Sequence, residues 1–216
     1  MSRTTVIPLV LAALVSACAG SPPRGAPAPG ADPASLRAAA LADSVRHSVT
    51  PADVRFMTGM IGHHAQAIVM AKWAPSHGAS PVIQVLTARI INAQRDEIVT
   101  MQRWLRDNGQ AVPQPDTVNA HMGMHGMHMM MPGMLSDAQM DQLAAARGPE
   151  FDKLFLLFMI QHHQGALSMV DELFKADGGA QNDLIYKFAT DVYADQGTEI
   201  DRMQKLLVTL STSGGS

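Results

Sequence analysis

The stretch that decides the fold is Asp53-Val54-Arg55-Phe56-Met57-Thr58-Gly59-Met60-Ile61-Gly62-His63-His64-Ala65-Gln66-Ala67-Ile68-Val69-Met70. Its positions 53, 56, 60, 63, 67 and 70 step by three and four, which is one face of a helix. Moved on by 99 residues, it lands on a second helical text in which Asp152, Phe155, Met159, Ile160, His162, His163, Ala166 and Met169 repeat Asp53, Phe56, Met60, Ile61, His63, His64, Ala67 and Met70. A second pair of segments repeats at a shift of 102. Gln94, Glu97, Ile98, Met101, Gln102 and Leu105 match Gln196, Glu199, Ile200, Met203, Gln204 and Leu207. The two shifts differ by only three residues, so the repeated unit is a whole helical hairpin.

Punctuation supports the same division. Thr50-Pro51-Ala52-Asp53 offers an N-cap, a proline at the first helical position and an acid at N3. That helix is expected to run to about Ala74, where Pro75 and Gly78 stop it. Ser80-Pro81 opens the next, which ends near Asp107 at Asn108-Gly109. Residues 110–135 hold three prolines and read as a loop. Ser136 to Gln139 is a capping-box pattern for a short helix ending near Arg147. A third long helix then reaches about Ala176, and a fourth runs from about Ala180 to Leu210. A short helix over Ser35–Ser48 is expected before the first hairpin. Composition agrees: 47% of residues are apolar but only 5% aromatic, a balance that suits packed helices better than a sheet. The expected fold is an all-α four-helix bundle of two repeated hairpins with a long middle connection.

The ends of the 216-residue chain carry different information. Residues 1–17 place Arg3 before a short apolar run and then small residues, the plan of a secretory signal. Val15-Ser16-Ala17-Cys18 resembles a bacterial lipoprotein signal, which implies cleavage before Cys18 and lipidation there. Residues 18–33 would then be a tether of Ala, Gly, Ser and Pro, and residues 34–211 the helical domain. The expected location is the periplasm or cell exterior, held to a membrane through lipid alone. A formal charge of −3 gives no reason to expect nucleic acid.

Two residue types point to chemistry: there are 16 methionines and nine histidines. Ten of them fall in residues 121–134: His121, Met122, Met124, His125, Met127, His128, Met129, Met130, Met131 and Met134. An exposed methionine gains no packing, so a loop this rich in them needs another reason. Thioethers favour Cu(I), and imidazoles also take Cu(II). Zinc would use the histidines and leave the methionines unexplained. The bundle has its own candidates in Met60, His63, His64, Met70 and Glu97, repeated as Met159, His162, His163, Met169 and Glu199. A turn centred near 77–78 sets Glu97 opposite residues 57–60 and Gln94 opposite 61–63. Each glutamate could bind a metal directly or orient a histidine through its other ring nitrogen. The alternative is a buried His–Glu pair that only fixes helix register.

The two His-His texts, with Asp53, Phe56, Met60 and Ile61 and their partners Asp152, Phe155, Met159 and Ile160, resemble the domain of unknown function 305 family over about residues 50–210. The resemblance implies a ferritin-like bundle, an extracytoplasmic location and metal or copper handling in some members. It carries His63, His64, His162, His163, Met60, Met159, Met70 and Met169 over as matched positions.

Three readings follow. One is a copper buffer or chaperone, working with other copper-handling proteins. The second is a redox enzyme holding iron or manganese, although no Glu-x-x-His pair of the di-iron type occurs. The third is a structural bundle without metal. No hydrolase or transferase motif is present, so no catalytic residue is named.

Overall fold

A computed structural model describes residues 32–46, 48–114 and 131–213. Cys18, the signal segment and residues 121–130 lie outside the described residues. The chain divides after Leu41 into two units. Helix α1 (Pro33–Arg46) crosses that division, and the Asp32 carboxylate caps it by accepting from the Ala34 and Ser35 amides at 2.8 and 3.0 Å.

The second unit holds the bundle: α2 (Pro51–Lys72), α3 (Pro81–Asp107), α4 (Asp137–Ala145), α5 (Pro149–Lys175) and α6 (Asp183–Ser213). Among the described residues there is no strand, and no helix is long and apolar enough to cross a membrane. The expected caps form. Thr50 and Asp53 make a reciprocal box at the start of α2, as do Ser136 and Gln139 at the start of α4. The long helices end within a few residues of the expected positions. The largest difference is α6, which starts at Asp183 because the Asn182 side chain, not Ala180, caps it.

Helices α2 and α3 form one hairpin, α5 and α6 the other, and α2 packs antiparallel against α5. Two buried carboxylates bolt the hairpins together. Asp53 accepts from the Ala180 amide at 2.8 Å, and Asp152 from the Ser80 amide at 3.1 Å. Each acid thus holds the turn of the other hairpin, as a two-fold repeat requires. Gly78 and Gly178 occupy the two turns with φ of +68° and +71°, backbone that a β-carbon would strain.

The core is split in two. One cluster gathers Phe56, Met57 and Met60 with Met101, Trp104, Met169 and Phe188. The other gathers Met70 and Ala71 with Ile83, Ile90, Phe155, Met159 and Met203. The first draws on the start of α2 and the end of α3, the second on the end of α2 and the start of α3. The histidines lie between them.

Candidate metal site between the two cores

His63, His64, Gln94, His162, His163 and Gln196 are all buried, none more than 3% exposed. His63 and His162 come from equivalent positions of α2 and α5, and their rings meet with centroids 3.8 Å apart, tilted by 41°. Two buried imidazoles in contact cannot easily both carry charge. Burial pushes His63 down to about 3, helped by the neighbouring His64 and His163 and opposed by a bond to the Pro132 carbonyl. Burial likewise pushes His162 well down, with His63, His163 and His64 adding to it. Both are therefore neutral near pH 7, the form that binds a metal.

The second histidine of each pair has a carboxylate partner. His64 Nε2 donates to Glu97 Oε2 at 2.6 Å, and His163 Nε2 to Glu199 Oε2 at 2.7 Å. Both glutamates are 19% exposed at the side chain. Each stands at the rim and fixes a buried ring from outside. Asp195 joins this rim: burial raises its pKa, and the charges of Glu97, Asp191 and Glu199 raise it further. The outer edge of the layer is thus acidic and attracts cations.

A neutral imidazole that donates from Nε2 keeps a lone pair on Nδ1. The Nδ1 atoms of His63, His64, His162 and His163, with Nε2 of His162, have no hydrogen-bond partner among the described residues. Neither do the amide oxygens and nitrogens of Gln94 and Gln196. An outer carboxylate holding a histidine whose other nitrogen is free is the arrangement that orients a metal ligand.

The pairing corrects the expected level of the layer. Glu97 reaches His64 rather than the 57–60 segment, so the hairpin's midpoint falls near residue 80. The cause is the stretch after α2, where His77 N bonds to Trp73 O and Ala79 N to Ala74 O, carrying coiled chain past the expected turn centre. Met60 and Met159 are fully buried but belong to different cores, one on each side of the layer. Met70 and Met169 are divided in the same way. Among the described residues, no three His, Cys, Asp or Glu side chains form a ready cage. The donor set available inside is therefore imidazole, thioether and the amide oxygens of Gln94 and Gln196.

One feature was not legible beforehand. Residues 131–135 form a strap across α2 and α5. Gln66 holds Leu135 twice, its amide donating to Leu135 O at 3.1 Å and its oxygen accepting from Leu135 N at 2.9 Å. His63 Nε2 donates to Pro132 O at 3.0 Å, which fixes the tautomer of His63. The repeat carries a trace of this. Gly62 and Gln66 of the first copy correspond to Gln161 and Gly165 of the second, an exchange of the same two residue types. A single strap on a two-fold arrangement meets each copy differently. Gly165 gives it room, since a β-carbon there would lie 2.0 Å from Pro132 O. Of the methionines expected in the connection, Met131 is partly buried and Met134 buried. His121, Met122, Met124, His125, Met127, His128, Met129 and Met130 lie outside the described residues.

Comparison with known proteins agrees with this fold. The model of the family described as domain of unknown function (DUF305) matches residues 53–207. A DUF305 structure from Streptomyces coelicolor, described as a candidate secreted protein, is 26% identical with a TM-score of 0.63, covering 74% of this chain and 94% of that one. A DUF305 fragment from Deinococcus radiodurans is 27% identical, also at 0.63, covering 74% and 97%. CopM in its Cu(II)-bound form is 30% identical at a TM-score of 0.58, covering 73% and 96%; its Cu(I)-bound form is 28% identical at 0.54, covering 75% and 98%. A 49-residue stretch, 23% of this chain, is 41% identical to an uncharacterized protein of Acanthamoeba polyphaga mimivirus and spans only 32% of that curated relative.

Proposed function

We propose, from the premise that this chain belongs to the DUF305 family, that it is an exported carrier or buffer of copper. It holds Cu(I), and to a lesser degree Cu(II), between buried histidines and the Met/His-rich connection. The observation that carries this reading is the inner His63–His162 pair: two neutral, touching imidazoles with three ring nitrogens unpartnered among the described residues. Nine buried side-chain atoms in the layer are in that condition. At roughly 1–3 kcal/mol for each unmet buried group, the layer weighs heavily against a total stability of about 5–15 kcal/mol. An ion that accepts the ring lone pairs removes part of that cost. A layer serving register alone would need only the His64–Glu97 and His163–Glu199 pairs.

Softness selects the ion. Thioethers flank the layer in both cores and crowd the connection, and they bind Cu(I) far better than zinc or iron. They also need no deprotonation and survive where thiols would oxidise. The CopM neighbours, solved with Cu(I) and Cu(II), support the choice. Export rests on the signal-like residues 1–17, and lipidation at Cys18 would keep the carrier at a membrane surface. Metabolic labelling with a fatty acid, lost in Cys18→Ala, is the check on that anchor.

The His63→Leu, His162→Leu double variant tests the inner pair. Leucine fills much of the space of each ring, so the fold is expected to survive. The mature chain should lose at least one tightly held Cu(I), read by metal analysis after dialysis against a competing chelator. Unchanged stoichiometry and affinity would remove the inner pair from the function.

A further inference from the structure

Two methionines come together outside the layer from distant parts of the chain. A β-carbon on Gly59 would lie 3.4 Å from Met169 Cε and 3.5 Å from Met131 Sδ. Side chains of α5 and of the strap therefore both reach one bare spot on α2. One turn on, a β-carbon on Gly62 would lie 3.7 Å from Met131 Cε, so glycine continues the floor beneath that thioether. Met169 is 8% exposed and Met131 partly buried, which leaves both ordered yet near solvent. A surface groove leads there, between Arg55 and Phe56 of α2 and Met169, Glu172 and Leu173 of α5. The residue after Met131, Pro132, accepts a hydrogen bond from His63.

We propose that Met131 and Met169 form a two-thioether site for a univalent soft cation beside the histidine layer. The ligand class is Cu(I), with Ag(I) as its redox-inert substitute. A d¹⁰ ion accepts two soft donors without a demand for fixed geometry, and the thioethers neither lose a proton nor change oxidation state. Binding there and passage on to the histidines are ligand exchange alone. The bare glycine floor lets both side chains approach the same point, where a side chain longer than alanine's would hold them apart. The inference rests on the proposed function only for the identity of the ion.

The test is a titration of the full-length apo protein, carrying ¹³C-methyl methionine, with Ag(I). Met131→Leu and Met169→Leu variants, which conserve volume, assign the two methyl resonances. Both resonances are expected to shift together at one and the same equivalent of Ag(I), and leucine at either position should abolish the shift of the other. Gly59→Ala should bind normally, because its methyl would meet both side chains at ordinary contact distance. Should either leucine variant fail to fold, isotope-labelled peptide-bond correlations in the unsubstituted protein assign the same methyls. If the two methyls stay still, or move at separate equivalents, while other Met or His signals take up Ag(I), the paired site is overturned and the copper reading stands. If no Met or His signal responds at all, both fall.

Discussion

Gly165→Ala is expected to destabilise the bundle by about 3 kcal/mol and to lift the strap off α2 and α5. The added methyl would sit 2.0 Å from Pro132 O, 2.4 Å from Pro132 C and 2.5 Å from Gly133 Cα. All three are backbone atoms, so no rotamer change relieves the overlap. From the other side, a β-carbon on Gly133 would lie 2.6 Å from both Gln161 O and Gly165 Cα. Alanine normally favours a helix over glycine by up to about 1 kcal/mol, so a loss at this position isolates the strap contact from helix propensity. Gly197→Ala in α6 supplies the contrast. Nothing lies within 4 Å of its β-carbon, and it should be neutral or slightly stabilising. Thermal unfolding gives the difference in stability. Hydrogen exchange at the Leu135 amide, held by Gln66, shows whether the strap has come away. A Gly165→Ala protein as stable as the original, with Leu135 still protected, would contradict the docked strap.

The metal-free protein is also expected to lose stability steeply as pH falls below about 6.5. In the unfolded chain a histidine takes up its proton near that pH. In the fold His63 does so only at about 3, and His162 is depressed in the same direction by the same burial. Between those limits the unfolded state binds protons that the folded state refuses, so stability is full above about 6.5 and drains as pH drops towards 3. His63 contributes about 1.4 kcal/mol per pH unit within the window, or about 2 kcal/mol between pH 7 and pH 5, and His162 adds to the loss in the same direction. Urea midpoints at the two pH values measure it. The His63→Leu, His162→Leu variant should show a much flatter dependence, and Ag(I) should protect the unsubstituted protein at pH 5 if it binds these rings. Equal midpoints for the metal-free protein at pH 7 and pH 5 would mean that the pair is not buried as described.

Most of the bundle could be read from residue order. The repeat of Asp53 and His63 as Asp152 and His162 predicts two equivalent hairpins, and local caps mark where helices begin. Such signals lie within a few residues of one another. What could not be read depends on contacts between distant segments. The reach of the glutamates depended on how residues 73–80 coil, and so Glu97 found His64 instead of the segment before it. Gln94 and Gln196 repeat visibly, but nothing local says that both amides are buried without partners. Equivalent positions exchange Gly62 and Gln66 for Gln161 and Gly165, but nothing local marks the exchange as meaningful, because its cause is a strap from 69 residues further along the chain.

The strap also changes how the Met/His-rich connection should be cut. Met131 and Met134 belong to the packed structure, so removing them would confuse loss of donors with loss of fold. Residues 119–130 can be removed while Met131 to Leu135 are kept.

The decisive measurement is a Cu(I) competition titration against a chromogenic chelator, run on the chelator-stripped protein and on the same protein without residues 119–130. The intact protein should withdraw several equivalents of Cu(I), and the shortened one fewer, keeping those assigned to the bundle. If the intact protein withdraws no more Cu(I) than an unrelated helical bundle, its histidines and thioethers are packing groups and the copper assignment is wrong.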